Sequence, residues 1–383
     1  MAIDNKDKKI LNVPPLRFPE FTEEWKAEQL DNIATLSKGI GISKEQLSED
    51  GEPCILYGEL YTKYKSEIIK QVESKTDING SKLKRSKAND VIIPCSGETA
   101  VDIATARCVP FDNILFGGDL NVISLHQYDG AFMSYQLNGK RKYDIARVAQ
   151  GVSIVHLYGE HLKAIKTYNP TLPEQQKIAK LLSLLDDRID TQNKIIEKLQ
   201  SLIKGLRVCC MQRVYGNNVY LSEIAQIYQP QTISSTELTE DGFLVYGANG
   251  IIGKYKDYNH KTEQICITCR GNTCGMVNYT KPMSWITGNA MVINTDKYQD
   301  KVCKRYLYHY LSAYNFNSII SGSGQPQIVR TPLEKLKITL PTISEQKQKA
   351  IIFDKIQDKI DINHKVLNLY IGQKQYLLRQ MFI

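Results

Sequence analysis

"PEQQKIAKLLSLLDDRID" (residues 173–190) begins a long apolar stripe near the middle of the chain, and "SEQKQKAIIFDKIQDKID" (residues 344–361) repeats it near the end. Identical residues recur at a constant offset of 171, as Glu174 and Gln175 do at Glu345 and Gln346. Apolar residues step alternately by four and three positions, which is typical of a coiled-coil seam. The predicted seam residues are Ile178, Leu182, Leu185, Ile189, Ile196 and Leu199 in the first helix, and Phe353, Ile356, Ile360 and Leu367 in the second.

Polar residues interrupt the seam at matching places, Gln192 in the first helix and Asn363 in the second, and Lys374 breaks the second stripe. A polar seam residue weakens packing but fixes register. The carboxylates of Asp186, Asp187 and Asp190 flank the first stripe, and we expect them to be solvated. The alternative is that each helix packs on its own domain as an ordinary amphipathic helix.

The repeat extends upstream of both helices. "VIIPCSGET" (91–99) parallels "ICITCRGNT" (265–273), and "GGDLNVISL" (117–125) parallels "TGNAMVINT" (287–295). "QLDNIATL" (29–36) parallels "YLSEIAQI" (220–227). The order is preserved while the spacing drifts, so the chain is a two-copy duplication rather than an array of short repeats.

Each copy has β-rich runs separated by Gly and Asn turns, together with helical patterns, followed by its long helix. We predict an α+β fold, with two duplicated mixed domains (1–170 and 216–340) separated by two long antiparallel coiled-coil helices (171–215 and 341–383). About forty helical residues span roughly 60 Å. An antiparallel return is the simplest connection, which predicts a pseudo-twofold arrangement with the two domains far apart.

Composition indicates an ordinary globular protein, with 42% hydrophobic and 23% charged residues. No apolar run is long enough to cross a membrane, and "MAIDNKDKKILNVPP" (1–15) lacks the apolar core of a signal peptide. The cysteines number nine and are scattered, which argues against a disulfide framework. "CITCRGNTC" (266–274) contains a CxxC, but its residues alternate as strand residues do and no second ligand pair follows, so buried thiols are preferred to zinc. We expect no metal and a cytoplasmic, nucleoid-associated location.

The sequence lacks the usual signatures of catalysis. "GANGIIGKY" (247–255) has the wrong spacing for a phosphate-binding loop, and no dinucleotide-binding or HExxH motif occurs. The net charge of +8 and the basic clusters "KLKRSK" (82–87) and "GKRKYDIAR" (139–147) are compatible with a polyanionic partner. Because the sequence lacks these catalytic motifs, we expect a protein that catalyses no reaction alone.

The chain resembles the specificity (S) subunit of type I restriction–modification enzymes. The resemblance rests on "VPPLRFPEFTEEW" (13–25), "LDNIA" (30–34), "YGANGIIGKY" (246–255), "GSGQPQI" (322–328) and the paired helix starts, in their order on a duplicated scaffold. One departure is Ser344, which stands where the first copy has Pro173. The recognition domains of this family vary widely, so contact residues cannot be transferred from it.

The resemblance implies two target recognition domains, each reading one half of an asymmetric bipartite site in double-stranded DNA. The helices would set the spacer and dock two methyltransferase (M) subunits, and restriction and translocation (R) subunits would complete the holoenzyme, a DNA adenine methyltransferase and ATP-dependent endonuclease. S-adenosylmethionine, ATP and Mg²⁺ would belong to those partners and none to this chain. We select polar, basic and aromatic loop residues as candidate DNA contacts: Tyr57, Arg85, Lys140, Arg141 and Lys142 in the first copy, and Tyr246, Asn249, Lys254, Arg270, Gln325 and Gln327 in the second.

Three alternatives stay open. The chain could be a coiled-coil scaffold that does not bind DNA, the specificity subunit of a related type IIB-like bipartite-site system, or an enzyme whose scattered active site carries no recognisable motif.

Overall fold

The computed structural model of the protein describes residues 11–212, 214–248, 250–322 and 324–383. The contacts divide the chain into two compact units. The first unit comprises Met1–Asn193 and Val366–Ile383, and the second comprises Lys194–Lys365. This division places the two ends of each long helix in different units, whereas the four predicted segments keep each long helix whole. The division therefore does not test the predicted segment bounds, which stay a prediction.

The first unit mixes short strands and short helices before its long helix begins. Its strands are β1 (Lys26–Gln29), β2 (Ala34–Lys38), β3 (Glu52–Ile55), β4 (Lys75–Thr76), β5 (Lys84–Arg85), β6 (Asp90–Pro94), β7 (Ser96–Gly97), β8 (Arg107–Val109), β9 (Leu115–Phe116), β10 (Leu120–Leu125), β11 (Val155–His156) and β12 (Lys166–Asn169). Its helices are α1 (Leu30–Ile33), α2 (Glu59–Thr62), α3 (Ala100–Ile103), α4 (Gly130–Asn138), α5 (Lys142–Val148), α6 (Gly159–Lys163) and the start of α7 (Leu172–Gln212), with 3₁₀ turns at Lys44–Gln46 and Gly80–Lys82.

The second unit also mixes short strands and short helices before its long helix begins, with fewer of each. Its strands are β13 (Asn217–Tyr220), β14 (Gln226–Tyr228), β15 (Phe243–Gly247), β16 (Gly250–Tyr255), β17 (Ile265–Thr268), β18 (Val277–Tyr279), β19 (Trp285–Ile286), β20 (Ala290–Asn294) and β21 (Lys337–Leu340). Its helices are α8 (Lys304–Ala313), α9 (Arg330–Glu334) and most of α10 (Ile343–Gln380), with 3₁₀ turns at Leu221–Glu223, Ser235–Glu237 and Phe316–Ile319.

The two units share one strand order. The central sheet is β2-β10-β6-β8 in the first unit and β14-β20-β17-β18 in the second, and every neighbouring pair is antiparallel. A parallel pair, β3 with β9 or β15 with β19, belongs to a second sheet in each unit. The first strand also pairs with the last one before the long helix, β1 with β12 and β13 with β21. The predicted α+β fold of duplicated mixed domains with long helices is confirmed.

The central strands are apolar because both faces of each sheet are covered. Val91 and Ile93 of β6 face one core cluster, whereas Ile92 between them faces another, as strand alternation requires. In the second unit Ile265 and Ile267 face one cluster and Cys266 faces the other. Burial raises the pKa of the Cys266 thiol to about 12, so this cysteine is an unreactive core residue.

Both long helices start with the same glutamine contact. Gln175 accepts a hydrogen bond from the Asp129 backbone N–H at 2.9 Å and donates one to the Pro170 carbonyl at 2.8 Å. Its counterpart Gln346 accepts from the Cys303 N–H at 2.8 Å and donates to the Pro341 carbonyl at 3.0 Å. Each helix is therefore fixed to the domain that precedes it through backbone groups of that domain.

In the first unit, the start of α7 packs antiparallel against the end of α10. Arg188 lies over the Tyr370 ring and Asp186 pairs with Lys374, so α10 residue numbers rise as α7 numbers fall. Lys374 Nζ lies 2.6 Å from Asp186 Oδ1 and 2.5 Å from Glu67 Oε2. The expectation that Asp186 is solvated is wrong: only 4% of the residue is exposed, because the Lys374 cation neutralises its carboxylate inside the helix pair.

In the second unit, the end of α7 packs on the start of α10. Ile203 forms a buried cluster with Phe353 and Ile360, and Leu199 and Ile356 pack against it. Of the other predicted seam residues, Ile178, Leu182, Leu185 and Ile196 are buried, and Ile189 and Leu367 are half-buried. The heptad positions thus form the inward face of both helices.

Candidate nucleic-acid interface

Three Gly-rich loops meet at one end of the central sheet of the second unit. Strand β17 ends at Thr268, whose hydroxyl donates to the Ala248 carbonyl at the tip of the β15–β16 hairpin. In the next loop, the Gly271 N–H donates to the Pro326 carbonyl at 2.9 Å, and the Ile328 N–H donates to the Cys269 carbonyl at 3.0 Å. Residues from the hairpin tip, the loop 269–275 and the loop 321–328 therefore form one surface, which we call the second loop platform.

Glycine is required at the bend of the loop 321–328. Gly322 has φ +88°, a conformation that L side chains rarely adopt, and a Cβ there would lie 2.5 Å from the Gln325 carbonyl oxygen. Ser321 and Gln327 close the loop by exchanging backbone hydrogen bonds at 2.9 and 2.8 Å. The motif "GSGQPQI" thus begins with a bend at Gly322, and its last residue, Ile328, makes the contact with Cys269.

The first unit repeats this loop with the same hydrogen bonds. Gln150 and His156 exchange backbone bonds at 2.8 and 2.7 Å, and the Leu157 N–H donates to the Cys95 carbonyl at 2.8 Å. Gly151 has φ +121° and a Cβ there would lie 2.1 Å from the Ile154 carbonyl oxygen. The loop residue numbers differ from those of the second unit by 171, as in the long helices. We call this surface, with β7 and β11, the first loop platform.

A cleft of about 920 Å³ lies beside the first loop platform. Tyr57, Ser96, Ile154 and His156 are among the residues that line it. The hydroxyl of Tyr61, another lining residue, donates to the Ser96 carbonyl at 3.2 Å. Burial raises the pKa of the Tyr61 hydroxyl, so this group stays a neutral donor at physiological pH. The cleft combines aromatic faces with polar groups.

In the second unit, three of the predicted contact residues lie together on the loop platform. Arg270 and Gln325 are exposed and Gln327 is half-buried, and Arg270 is the direct cross-strand neighbour of Gln327. Lys254 lies on β16 and pairs with Asp241 at 3.4 Å. Tyr246 is 5% exposed and its hydroxyl accepts a hydrogen bond from the Lys281 N–H at 3.1 Å, so it belongs to the core beneath the hairpin. Asn249 lies outside the described residues.

In the first unit, the predicted contacts are scattered. Tyr57 lines the cleft with 40% of its surface exposed. Arg85, by contrast, forms a bidentate ion pair with Glu52, with N–O distances of 2.6 and 2.9 Å. The Glu52 carboxylate raises the pKa of Arg85. The guanidinium therefore stays charged, but its charge is already paired with Glu52.

The basic cluster near residue 140 is partly structural. Arg141 donates to the Ile383 carbonyl at 2.9 Å and lies over the Tyr168 ring. Lys140, next to it in the chain, is exposed, and Lys142 at the start of α5 is half-buried. The two lysines, rather than Arg141, remain accessible to a polyanion.

Sequence reasoning missed His156, Gln150 and Ser321, which lie on the two loop platforms. The signal was present, since adding the helix offset of 171 to Gln150 and His156 gives Ser321 and Gln327. The loop 150–157 escaped notice because, apart from Gly151, its residues differ from those of "GSGQPQI".

The outer faces of both long helices carry exposed apolar side chains. These are Leu184, Ile195 and Leu202 on α7 and Ile351, Ile352, Ile362 and Leu369 on α10. Exposed apolar groups concentrated on a helix surface are typical of surfaces that bind protein partners.

Within the described ranges, no helix is long and apolar enough to cross a membrane. The same residues contain no cluster of three or more His, Cys, Asp or Glu side chains able to hold a metal ion.

The chain is similar to specificity subunits of type I restriction enzymes. It is 31% identical over 147 residues to the EcoprrI specificity subunit of Escherichia coli, which covers 37% of this chain and 36% of that protein. It is 25% identical over 422 aligned positions to the MjaVIII specificity subunit of Methanocaldococcus jannaschii, covering 94% of this chain and 92% of that one.

Solved structures show the same fold. The type I restriction–modification S subunit of M. genitalium matches with a TM-score of 0.68 and 18% identity, over 97% of this chain and 99% of that one. A chain from a study of the assembly and conformational transition of a type I system matches with a TM-score of 0.56 and 14% identity, over 94% and 98%. The family model described as the type I restriction modification DNA specificity domain matches twice, at residues 22–201 and 217–369. These two matches span most of the sequence, and the chain therefore belongs to the type I restriction–modification DNA specificity family.

Proposed function

We propose that this chain is the non-catalytic DNA-specificity subunit of a type I restriction–modification system, with each unit reading one half of an asymmetric bipartite site. One observation carries the proposal: the same loop platform is built twice, with matching backbone hydrogen bonds but different side chains. Sequence is read by side chains at base edges, whereas constant backbone geometry sets their position. Two copies with different side chains are therefore suited to reading two different short sequences.

The charge of the chain supports a DNA partner. The net charge is +8, and lysines such as Lys140 lie exposed near the first unit's short helices. Lys and Arg contacts to phosphates supply affinity without sequence information, and such affinity falls as salt rises. We therefore assign the lysines to positioning and the loop platforms to specificity.

The long helices are proposed to set the spacer and to dock partners. At about 1.5 Å per residue, the 41 residues of α7 span roughly 60 Å. The exposed apolar groups on α7 and α10 offer surfaces for two methyltransferase subunits, and restriction subunits complete the complex. S-adenosylmethionine, ATP and Mg²⁺ are bound by those subunits in this proposal, and the complex acts on DNA in the cytoplasm.

The test is methylation mapping in a host that lacks other adenine methylation. This chain is expressed with its cognate M subunit, and modified bases are read by single-molecule sequencing. We expect methylated adenines in one bipartite motif with two different half-sites and a fixed spacer. Expression of either protein alone is the control and should give no methylation.

Three results would contradict the proposal. If the reconstituted complex bound no DNA at low salt, the chain would be a scaffold for other proteins. If the purified chain alone turned over a substrate, it would be an enzyme of another class. Methylation of a continuous rather than a bipartite motif would contradict the division of labour between the units.

A further inference from the structure

Each loop platform carries a row of three polar side chains that lie side by side. In the second unit, Gln327 is the cross-strand partner of both Arg270 and Ser321. In the first unit, His156 is the partner of both Ser96 and Gln150. Directly opposed residues in antiparallel pairs point to the same face, so each triplet forms one row across three chain segments.

The spacing of the second row follows from its hydrogen bonds. The bonds of Gly271 to Pro326 and of Ile328 to Cys269 flank the Arg270–Gln327 pair, which is therefore a non-hydrogen-bonded pair. In such pairs the Cβ atoms lie about 4.5–5.5 Å apart, close enough for two side chains to reach neighbouring base pairs stacked about 3.4 Å apart.

The second row is also chemically available. Arg270 is exposed, and within the part of the chain that the structure describes its guanidinium forms no hydrogen bond or ion pair, unlike Arg85, Arg305 and Arg330. The Gln327 amide likewise forms no side-chain hydrogen bond there, since only its backbone is engaged. These side chains keep their donors and acceptors for a ligand.

We propose that these rows are the base-reading elements of the two units, and that Arg270 reads a guanine in the second half-site. This inference rests on the function proposed above. Arginine binds O6 and N7 of guanine with two parallel hydrogen bonds, and glutamine pairs in the same way with adenine. Gln327 therefore reads an adenine at the neighbouring base pair. In the first unit, Ser96 and His156 occupy the equivalent positions, so that unit reads a different sequence with the same backbone.

The experiment uses the complex of this chain with its M subunit and a DNA library. The library fixes the first half-site and spacer found by methylation mapping and randomises the second half-site, and bound DNA is sequenced. Wild type should enrich guanine at one position. Arg270→Ala should reduce that enrichment by about 5- to 150-fold while the preferences at other positions, apart from the neighbouring adenine, stay as in wild type.

Two further variants make the assignment specific. Gln327→Ala should reduce the adenine preference at the neighbouring position, and His156→Ala should change only the first half-site in a library randomised there. Lys297→Ala is the matched control, because this exposed lysine lies beyond the end of β20 that is remote from the platform, and its base profile should equal wild type.

Each failure has a distinct signature. An unchanged base profile for Arg270→Ala overturns the inference, and so does an equal loss of affinity for every second half-site, which would make Arg270 a phosphate contact. Melting temperatures and M-subunit binding of each variant identify loss of fold. Failure of the wild-type complex to enrich any bipartite sequence would instead contradict the proposed function itself.

Discussion

His309 is a buried residue that links three charged side chains in the second unit. Its Nδ1 accepts hydrogen bonds from Arg207 of α7 at 3.1 and 2.8 Å, and its Nε2 lies 2.8 Å from Asp354 Oδ1 of α10. Arg305 donates to the same carboxylate, and the Tyr308 and Phe353 rings lie beside the imidazole. With Arg207 donating to Nδ1, the imidazole is neutral and carries its proton on Nε2.

This arrangement predicts a pH-dependent stability of the second unit. Burial lowers the pKa of His309 below its ordinary value of 6.5. The charges of Arg207 and Arg305 also lower this pKa, whereas Asp354 raises it by a smaller amount. The unfolded imidazole binds protons more readily than the folded one. The contribution of His309 to the free energy of unfolding is therefore complete above about pH 6.5 and decreases as the pH drops through that value. His309→Gln should flatten this dependence by up to about 1.4 kcal/mol per pH unit.

Urea titrations followed by circular dichroism from pH 8 to pH 5.5 provide the measurement. His364→Gln is the matched control, because His364 is an exposed residue of α10 and its removal should leave the slope unchanged. Equal slopes for wild type and His309→Gln would contradict the prediction. Asp354 adds a separate loss at lower pH: burial would raise the pKa of its carboxyl, but hydrogen bonds from His309 and Arg305 outweigh burial and lower it.

Single residues were predictable only where the signal was local or duplicated. Asp186 looks like any solvated carboxylate in the sequence, because its partner Lys374 is 188 positions away and breaks the apolar stripe for no local reason. In the structure burial would lower the pKa of Lys374, but the charges of Glu67 and Asp186 raise it. Tyr246 was selected for its place in a motif, and the sequence carried no sign that the tyrosine lies beneath the hairpin.

The long helices are the elements that the sequence predicted best. Their heptad spacing identified the buried positions, since periodicity reports which face of a helix is covered. The strand runs around Ile92 and Cys266 were also recognisable, because both faces of their strands are buried and the runs are continuously apolar. The strand order was not predictable, since parallel pairs such as Cys54 with Leu115 join residues far apart in sequence.

Neighbouring residues of α10 provide a test of the helix seam. Phe353 is fully buried against Ile203 and Ile360, whereas Ile352 is 56% exposed. Phe353→Ala should lower the free energy of unfolding by about 3–5 kcal/mol, because it leaves a cavity between the helices. Ile352→Ala should change the free energy by less than about 1 kcal/mol.

Chemical denaturation of both variants measures the difference. Methylation by the complex with M adds a second readout, since Ile352 belongs to the exposed apolar set proposed to dock partners. Equal destabilisation by the two substitutions would contradict the prediction, because it would show that Phe353 is no more buried in the helix seam than Ile352 is.

At the scale of the whole chain, the duplication makes a prediction about spacing. We consider the insertion of one heptad into each long helix, after Gln192 in α7 and after Asn363 in α10. Each insertion adds about two helical turns and keeps the apolar seam in register. Seven residues add about 10 Å of helix, so the spacer should lengthen by up to about three base pairs while both half-sites stay unchanged.

Methylation mapping of the insertion variant gives this result directly. A four-residue insertion in α7 alone is the control, because it shifts the seam of one helix out of register and should abolish methylation. An unchanged spacer in the matched double insertion would contradict the role of the helices as a ruler.

The joint between each recognition domain and its helix has an evolutionary consequence. Among the described residues, the side chains of Gln175 and Gln346 form hydrogen bonds to backbone groups alone. These are the N–H of Asp129 or Cys303, the carbonyl of Pro170 or Pro341 and, for Gln346, also the carbonyl of Lys301. Every amino acid except proline supplies the same N–H, and every residue supplies the same carbonyl. These two glutamine contacts therefore make no demand on the side chains of the domain, unlike the ion pairs of Arg17 with Glu174 and of Arg305 with Asp354. Recombination at the helix start would therefore keep the glutamine joint when one recognition domain is replaced by another of the same fold. A new specificity would arise in a single genetic step, provided that the incoming domain also supplies partners such as Arg17 for Glu174 and Arg305 for Asp354.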